Sequence, residues 1–351
     1  MANFNDFYLR PNPESTGQVP VTSGYLYTCP DIWPSGNKPI QNFQTTLVTE
    51  ESYSQTSQSD IMLNYDNYIY IRGKNGADTP VTKWIELYYA PVAVINWPCQ
   101  WYQNGLKTAK GRNYVIVKNV ESGQIAVGDE CLIWPNVQNP PSGSSHYCLI
   151  ANVNDQNNSH PVPGTSGMTY EDMADLLTND LRLGWRNTKI VEQDTPDWTY
   201  SQLLEIPDNV GENKTVRVAL ICPNDFAGAA VQFTSSTSNG SSGPIELKKT
   251  KIPQTGSSAV LGVEVDLDPG FSCSIQVNYW SNGIKPPSGK SIYLDASYRP
   301  QTQAEFDRAV NRNILSPHFA ATMQNFQGRS YAKNITPYQP IQLGNIVYTF
   351  V

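Results

Sequence analysis

Charged residues are scarce in this sequence, and long apolar runs are absent from it. Only 16% of the 351 residues are Asp, Glu, Lys or Arg, and the formal net charge is -7 without any cluster of Lys or Arg. Phosphate binding needs a basic surface, so the composition argues against nucleic acid as a partner. No stretch approaches the roughly 20 consecutive apolar residues of a transmembrane helix. The sequence therefore predicts neither a nucleic-acid partner nor a membrane span.

The sequence also predicts no secretory leader. The N-terminal residues MANFNDFY contain neither a basic start nor an apolar core. We therefore expect a protein that is made in the cytoplasm. It is then either released as part of a particle or exported by a non-standard route.

Histidine is rare, and the spacings that usually mark catalytic or metal sites are missing. His146, His160 and His318 show no H-E-x-x-H or H-x-H spacing, so a zinc site has little support beside ordinary hydrogen-bonding roles. The G-x-S-x-G signature of a Ser-His-Asp triad is missing too. The sequence predicts that the protein is not an enzyme and uses no metal or cofactor.

One polar segment offers oxygen atoms that suit a calcium ion. Asn152, Asn154, Asp155 and Asn157 lie close together in the chain. The EF-hand pattern is absent, however, and a polar turn explains the same residues better. We therefore predict a turn here and no metal site.

Cysteine occurs six times but never in a C-x-x-C pair, which leaves metal-knuckle and thioredoxin-like interpretations without support. Small buried thiols are the favoured interpretation, because free Cys is often buried, and at least one disulfide is the alternative. The six are Cys29, Cys99, Cys131, Cys148, Cys222 and Cys273.

The residues that are abundant indicate an all-β chain. The sequence holds 20 Tyr, 8 Trp, 26 Pro and 24 Gly, which suit pleated surfaces and turns. Residues 145–153 form its clearest strand: Tyr147, Leu149, Ala151 and Val153 share one face, and the other face is apolar as well. A strand that is apolar on both faces belongs in the middle of a sheet.

The length of the chain and the spacing of its Gly- and Pro-containing turns predict two immunoglobulin-like β-sandwich domains. The larger spans residues 43–195, with strand-like patterns beginning at 43–49, and the smaller spans 205–298. A proline-rich, extended arm covers residues 1–42. Residues 299–351 form a C-terminal tail with one or two short helices.

Helical patterns interrupt the β-rich chain at two places. Thr169 and Asp172 resemble a capping arrangement before an apolar stripe, which predicts a helix within residues 168–179. Thr302 and Glu305 predict the start of a helix in the tail. Residues 319–326 allow part of a second tail helix.

Part of the first predicted domain resembles immunoglobulin-like modules of the CARDB type, which occur in bacterial surface and secreted proteins. The resemblance covers about residues 28–192 and depends on Pro30–Trp33, Ser145–Ala151 and Leu183–Val191. It implies a non-catalytic sandwich that serves adhesion, spacing or assembly. The sequence predicts no accompanying enzyme domain, so we expect the module to make up most of the protein.

Both ends of the chain carry apolar residues that would need covering. We expect a structural subunit that self-associates within a larger bacterial extracellular or phage-like assembly, as a homo-oligomer or with other subunits. The predicted contacts are Phe4, Phe7, Tyr8 and Leu9 in the arm, and Ile346, Val347, Tyr348 and Phe350 in the C-terminal strand.

A carbohydrate-binding or adhesion module is the alternative, since sugar-binding sandwiches stack pyranose rings on aromatic side chains. The candidates for a glycan contact are Trp97, Trp101, Tyr102 and Trp280. Packing of these rings in the core or at a domain junction is the favoured explanation. A secreted effector or toxin is a further alternative.

Overall fold

The computed structural model describes residues 2–156, 168–210, 213–239, 243–318, 326–330 and 338–351, and strands dominate this part of the chain. The strands are β1 (Ala2–Asn3), β2 (Phe7–Tyr8), β3 (Gln18–Val19), β4 (Ile32–Pro34), β5 (Asn67–Asn75), β6 (Val81–Pro91), β7 (Lys107–Thr108), β8 (Tyr114–Val120), β9 (Ile125–Val127), β10 (Leu132–Trp134), β11 (Tyr147–Asn154), β12 (Leu183–Arg186), β13 (Thr188–Val191), β14 (Asp197–Glu205), β15 (Lys214–Pro223), β16 (Ala230–Asn239), β17 (Gly243–Lys251), β18 (Ser258–Leu267), β19 (Ser272–Trp280), β20 (Ser291–Tyr298), β21 (Phe326–Ser330) and β22 (Ile341–Phe350).

The helices are short. They are α1 (Phe43–Thr46), α2 (Glu50–Tyr53), α3 (Pro98–Trp101), α4 (Tyr170–Asn179) and α5 (Gln303–Asn311), with 3-10 turns at Asp208–Val210 and Asn224–Phe226. The chain is therefore all-β, as its composition predicts.

The first sandwich packs two sheets face to face. One has the order β2-β5-β10-β7, with β4 and β9 also paired to β5, and the other has the order β12-β11-β6-β8. Ile69 and Ile71 of the first sheet meet Leu87 and Leu149 of the second in one buried cluster. The alternation of these residues along each strand places every second side chain in this core.

Strand β11 confirms the prediction made from residues 145–153. It lies between β12 and β6, in the interior of its sheet. Leu149 and Ala151 enter the core of the first sandwich, whereas Cys148 and Ile150 enter a second cluster on the opposite face. Burial on both faces is the reason that this strand lacks polar alternation.

The second sandwich consists of two sheets that pack against each other. One has six strands in the order β13-β22-β20-β15-β18-β21, and the other has four strands in the order β14-β19-β16-β17. Val218 and Leu220 of β15 and Ile275 and Val277 of β19 lie in its core. The clean alternation of β19 corresponds to a strand with one buried face and one solvated face.

One apolar cluster joins the two sandwiches. It includes Ile150 of the first sandwich, Met173 of α4 and Val218 of the second sandwich. Backbone bonds cross the same junction, where Val94 N donates to Leu203 O (2.8 Å) and Leu203 N donates to Val92 O (3.1 Å). The second face of β11 is buried by this junction.

Two helix predictions are confirmed by their caps. The Thr169 side chain accepts from Asp172 N at the start of α4, and the Thr302 side chain accepts from Glu305 N at the start of α5. Each satisfies a backbone donor that the helix itself leaves unpaired. The second predicted tail helix, at residues 319–326, lies almost wholly outside the described residues.

The strand predicted at residues 43–49 is wrong. Helix α1 occupies Phe43–Thr46 and follows Asn42, whose φ of 54° is left-handed. Thr49 then caps α2 by accepting from Ser52 N. The Thr residues that suggested a strand act here as turn and cap residues instead.

The sheets also join segments that the sequence analysis placed in an arm and a tail. Strands β2 and β4 pair with β5 of the first sandwich, and β22 pairs with β20 and β13 of the second. Strand β13 lies within the range 43–195 that is predicted for the larger domain, but it belongs to the sheet of the second sandwich.

Candidate functional site

A groove opens on the sheet that contains β11, where that strand ends. Its volume is about 210 Å³. Strands β6, β8 and β11 supply most of its walls. The lining residues are Trp84, Glu86, Asn113, Tyr114, Asn154, Asp155 and Gln156.

The alternation of β6 explains why polar and aromatic side chains meet there. Tyr88 and Ala90 enter the shared core, and Glu86 and Trp84 continue the same face, half-buried. Across the sheet, Trp84 is paired with Ile116 and Asn154, and Glu86 is paired with Tyr114 and Asn152. The register thus brings residues from three strands to one place.

The Glu86 carboxylate is fixed by neutral hydrogen-bond donors. It accepts from Tyr88 Oη (2.8 Å), Asn154 Nδ2 (2.9 Å) and Asn113 Nδ2 (3.3 Å). Burial raises the pKa of Tyr88, and the hydrogen bond to Glu86 raises it further, so the phenol stays a donor. The carboxylate is held in one orientation while it keeps lone pairs for another donor.

An aromatic stack forms the second wall. The rings of Trp84 and Tyr114 are parallel within 1°, and their centroids are 4.3 Å apart. The Arg112 Cζ lies 5.5 Å from the centroid of Tyr114, and its guanidinium donates to Asp129 (2.9 Å) and to Glu130. The stack is therefore ordered by contacts outside the groove.

Asp155 forms an ion pair with a lysine that it shares with Asp6. Lys83 Nζ lies 2.5 Å from Asp155 and 2.7 Å from Asp6. Burial lowers the pKa of Lys83, but hydrogen bonds to Asp155 and Asp6 outweigh that effect and raise it above the ordinary value. Lys83 therefore stays charged and remains bound to the carboxylate of Asp155.

Two of the predicted sugar-stacking residues are buried. Trp97 is 1% exposed and Trp101 is 0% exposed, so neither ring offers a face to a ligand. Trp97 Nε1 donates to Glu205 O (2.9 Å), and Trp101 packs against Trp185 at the junction. This corrects the stacking prediction, because the apolar area of these rings is used between the sandwiches.

The other two candidates reach the surface. Tyr102 is 51% exposed and stacks at 6.4 Å on Tyr88, which contacts Glu86 of the groove. Trp280 is half-buried at the end of β19, and Lys249 Nζ lies 3.9 Å from its ring centroid. Their role in glycan binding stays a prediction.

The predicted assembly contacts lie mostly in the core of the same chain. This corrects the premise that another molecule must cover them: the chain covers them itself, and only Phe4 is half-buried. The exposed fractions are Phe7 0%, Tyr8 6%, Leu9 0%, Ile346 0%, Val347 2%, Tyr348 0% and Phe350 0%.

The histidines do not meet within the described residues. His146 is buried, with Nδ1 3.2 Å from Ser145 Oγ, and burial lowers its pKa to about 4. His318 lies beside Tyr25, and His160 lies outside the described residues, as does Asn157. In the described part of the chain no three His, Cys, Asp or Glu side chains form a group that could hold a metal ion.

All six cysteines are described, and all are free thiols; four are buried, Cys131 is half-buried and Cys99 is exposed. This agrees with the favoured interpretation of small thiols. Among the helices of the described ranges, none is long and apolar enough to span a membrane.

The sequence pattern does not reveal the groove. It predicts a turn at Asn154 and Asp155, whereas Asn154 is the last residue of β11. The available signal was the polar Glu86 within the apolar run of β6, together with Trp84 and Tyr114 as aromatics on neighbouring strands.

No family model matches the chain, and no curated protein matches it; the resemblance to CARDB-type modules is not confirmed. Solved structures give weak similarities. The calcium-binding domain CBD12 of CALX1.1 is 6% identical with a TM-score of 0.16, covering 80% of this chain and 93% of that chain.

Red sea bream transglutaminase is 9% identical with a TM-score of 0.20, and 86% of this chain matches 32% of that chain. A mutant of the enterotoxigenic E. coli adhesin CfaE is 8% identical with a TM-score of 0.19, covering 99% and 92%. These TM-scores are too low to define a common fold, so the fold assignment depends on the sheets described above.

Proposed function

We propose that this chain is a non-catalytic module that acts by binding other molecules. The observation that carries the proposal is the burial of a carboxyl group and an imidazole, Asp295 and His146, whose pKa values are strongly displaced. Catalytic acids and bases with displaced pKa values usually line a cleft that a substrate enters. Here burial raises the pKa of Asp295 to about 8, and Asp295 is 0% exposed. His146, with its lowered pKa, is only 5% exposed.

The test is a turnover screen with the full chain on glycoside, ester and peptide substrates. We expect no product above that of the heat-denatured protein. Turnover that disappears in Glu86→Gln or His146→Gln, while the folded signal is unchanged, would overturn the proposal. Glu86, which lines the groove, is the acid best placed to act. His146, which lies beside the Ser145 hydroxyl, is the base best placed to act.

We propose more specifically that the chain is a structural subunit that self-associates within a bacterial extracellular or phage-like assembly, and that it leaves the cytoplasm as part of that particle. The supporting feature is one loop. Met62 and Tyr65 are 38% and 52% exposed, and buried Asn67 holds them in place. Asn67 Nδ2 donates to Met62 O (2.8 Å) and to Tyr65 O (3.0 Å). A rigid apolar pair of this kind suits a protein contact.

Light scattering tests self-association. The mass of the wild-type chain should rise with concentration, and the double variant Met62→Ser and Tyr65→Ser should remain monomeric. Val310→Ser removes another exposed apolar side chain, 46% exposed, from α5 and serves as the matched control. A wild-type chain that is monomeric at micromolar concentration would instead favour a soluble binding module or an effector.

A further inference from the structure

We propose that the groove between β6, β8 and β11 binds a neutral sugar ring. The inference rests on the proposed binding function and names a ligand class for it. The site differs from the tryptophans that the sequence suggested. Trp84, Tyr114, Glu86 and the amide side chains around them supply its chemistry.

The polar atoms of the groove include both donors and acceptors. Glu86 offers carboxylate lone pairs, and the amides of Asn113 and Gln156 carry N–H donors as well as carbonyl acceptors. A sugar hydroxyl donates and accepts at the same time, so it can use such a mixed set. A metal cation or an ammonium group would use the acceptors alone.

The charge balance also disfavours an anionic ligand. Lys83 is shared between Asp6 and Asp155, and neutral donors hold Glu86, so three carboxylates surround one cation. Of the two carboxylates that line the groove, Asp155 is bound to Lys83, and Glu86 lies beside the two aromatic rings with a lone pair left for another donor. Two or more open carboxylates would be expected at a divalent cation site that depends on oxygen ligands.

The aromatic wall adds the apolar contact that a pyranose ring needs on its C–H face. The Trp84 ring is half-buried, and its stack with Tyr114 is backed by Arg112. Because these side chains are already ordered, a ligand does not have to immobilise them when it binds.

The size of the groove limits the ligand to a small one. Its volume of about 210 Å³ is below the roughly 300 Å³ at which pockets for drug-sized molecules begin. A groove of this size suits a single ring, with the remainder of an oligosaccharide extending into solvent toward exposed Tyr102.

The test begins with a glycan array that carries neutral and sialylated glycans, probed with the full chain. The best neutral oligosaccharide is then titrated calorimetrically against wild type, Trp84→Ala, Glu86→Gln and Trp280→Ala. We expect Trp84→Ala and Glu86→Gln each to weaken binding by about tenfold or more. Trp280→Ala tests the competing stacking prediction on the other sandwich, and if the groove is the binding site this variant leaves binding unchanged. Thermal melts of all variants show whether each remains folded.

Several results would overturn the inference. They are an array without any bound neutral glycan, binding that survives both groove variants, and binding that only Trp280→Ala removes. Calcium chloride and choline chloride are titrated alone in parallel, and saturable binding of either that Glu86→Gln abolishes would assign the groove to a cation instead. If no glycan on the array binds the chain but the chain self-associates with rising concentration, this inference is wrong and the proposed function is unaffected. Turnover of a bound glycan would remove the non-catalytic proposal and leave the sugar site.

Discussion

The two ends of the chain are both built into the fold, but by different physical means. At the C-terminus, β22 lies in the interior of a sheet, paired antiparallel with β20 and parallel with β13. Its Ile346, Tyr348 and Phe350 are fully buried. Many equivalent backbone bonds and apolar contacts share the stabilisation, so no single side chain dominates.

The N-terminal arm has only short strands and depends on a few directional contacts. Asp31 is 0% exposed and accepts from Arg10 N (2.7 Å) and Arg10 Nη2 (2.5 Å), while Arg72 Nε lies 3.5 Å away. The Arg10 Cζ also lies 3.4 Å from the ring centroid of Tyr53. The arm is therefore sensitive to single substitutions in a way that β22 is not.

The largest expected effect is the loss of β22 as a whole. Deleting residues 341–351 should abolish cooperative folding, because β20 and β13 lose their common neighbour and the core of the second sandwich is opened. Near-ultraviolet circular dichroism and size-exclusion chromatography measure this. Deleting Ala2 and Asn3, which are exposed, is the control and should leave the melt unchanged. A truncated chain with a native melt would contradict the placement of β22.

The next effect is a single-residue break in the arm. Asp31→Asn leaves Arg10 and Arg72 buried without a counter-ion, and we expect a loss of about 3–5 kcal/mol in the free energy of unfolding. Urea denaturation gives the value. The matched control is Asp194→Asn, whose partner Lys285 is largely exposed, and it should cost roughly 0–1 kcal/mol. Equal losses in the two variants would contradict the difference between buried and exposed pairs.

A smaller effect is expected when a substitution adds one methyl group to β22. A Cβ at Gly344 would lie 2.2 Å from Val94 O, a backbone atom at the junction of the sandwiches. Because backbone cannot rotate away, Gly344→Ala should cost about 1–3 kcal/mol. Gly256→Ala, where nothing lies within 4 Å, is the control. Thermal unfolding compares the two glycine variants. Equal melting temperatures would show that β22 does not approach the Val94 backbone as closely as the structure indicates.

The last effect depends on pH and is measured over a narrow window. Gln342 of β22 donates to buried Asp295, and burial raises the pKa of Asp295 from 3.8 to about 8. The unfolded chain loses this proton near pH 4 and the folded chain near pH 8, so the stability contribution is complete below pH 4 and is lost as pH rises toward 8. Asp295→Asn should therefore flatten the decline of stability at higher pH.

The useful window for this measurement is pH 6.5 to 8. His146 has the opposite effect. Burial lowers its pKa to about 4, so its contribution to the stability of the folded chain is lost as pH falls from 6.5 to 4. Above pH 6.5 its contribution is constant, so melting temperatures in the window report on Asp295. A wild-type chain that gains stability from pH 6.5 to 8 would contradict the raised pKa.

Local features were predicted well because their causes are local. The caps of α4 and α5 need only residues three positions apart, and the double apolar face of β11 can be read from alternate residues. The strand predicted at 43–49 failed because Thr and Asn also suit caps and turns, and the choice between these roles depends on the neighbours in space.

The sequence by itself determined that this chain is β-rich, that residues 147–153 occupy the interior of a sheet, and that helices begin after Thr169 and Thr302. Only the tertiary structure decided which apolar residues are covered by the chain itself. Partners such as β22 and β13 are separated by more than a hundred residues, and a strand pattern contains no information about which partner it has. For the same reason Trp97 and Trp101 are buried at a junction, while Trp84 and Tyr114 from separate strands form the wall of a groove.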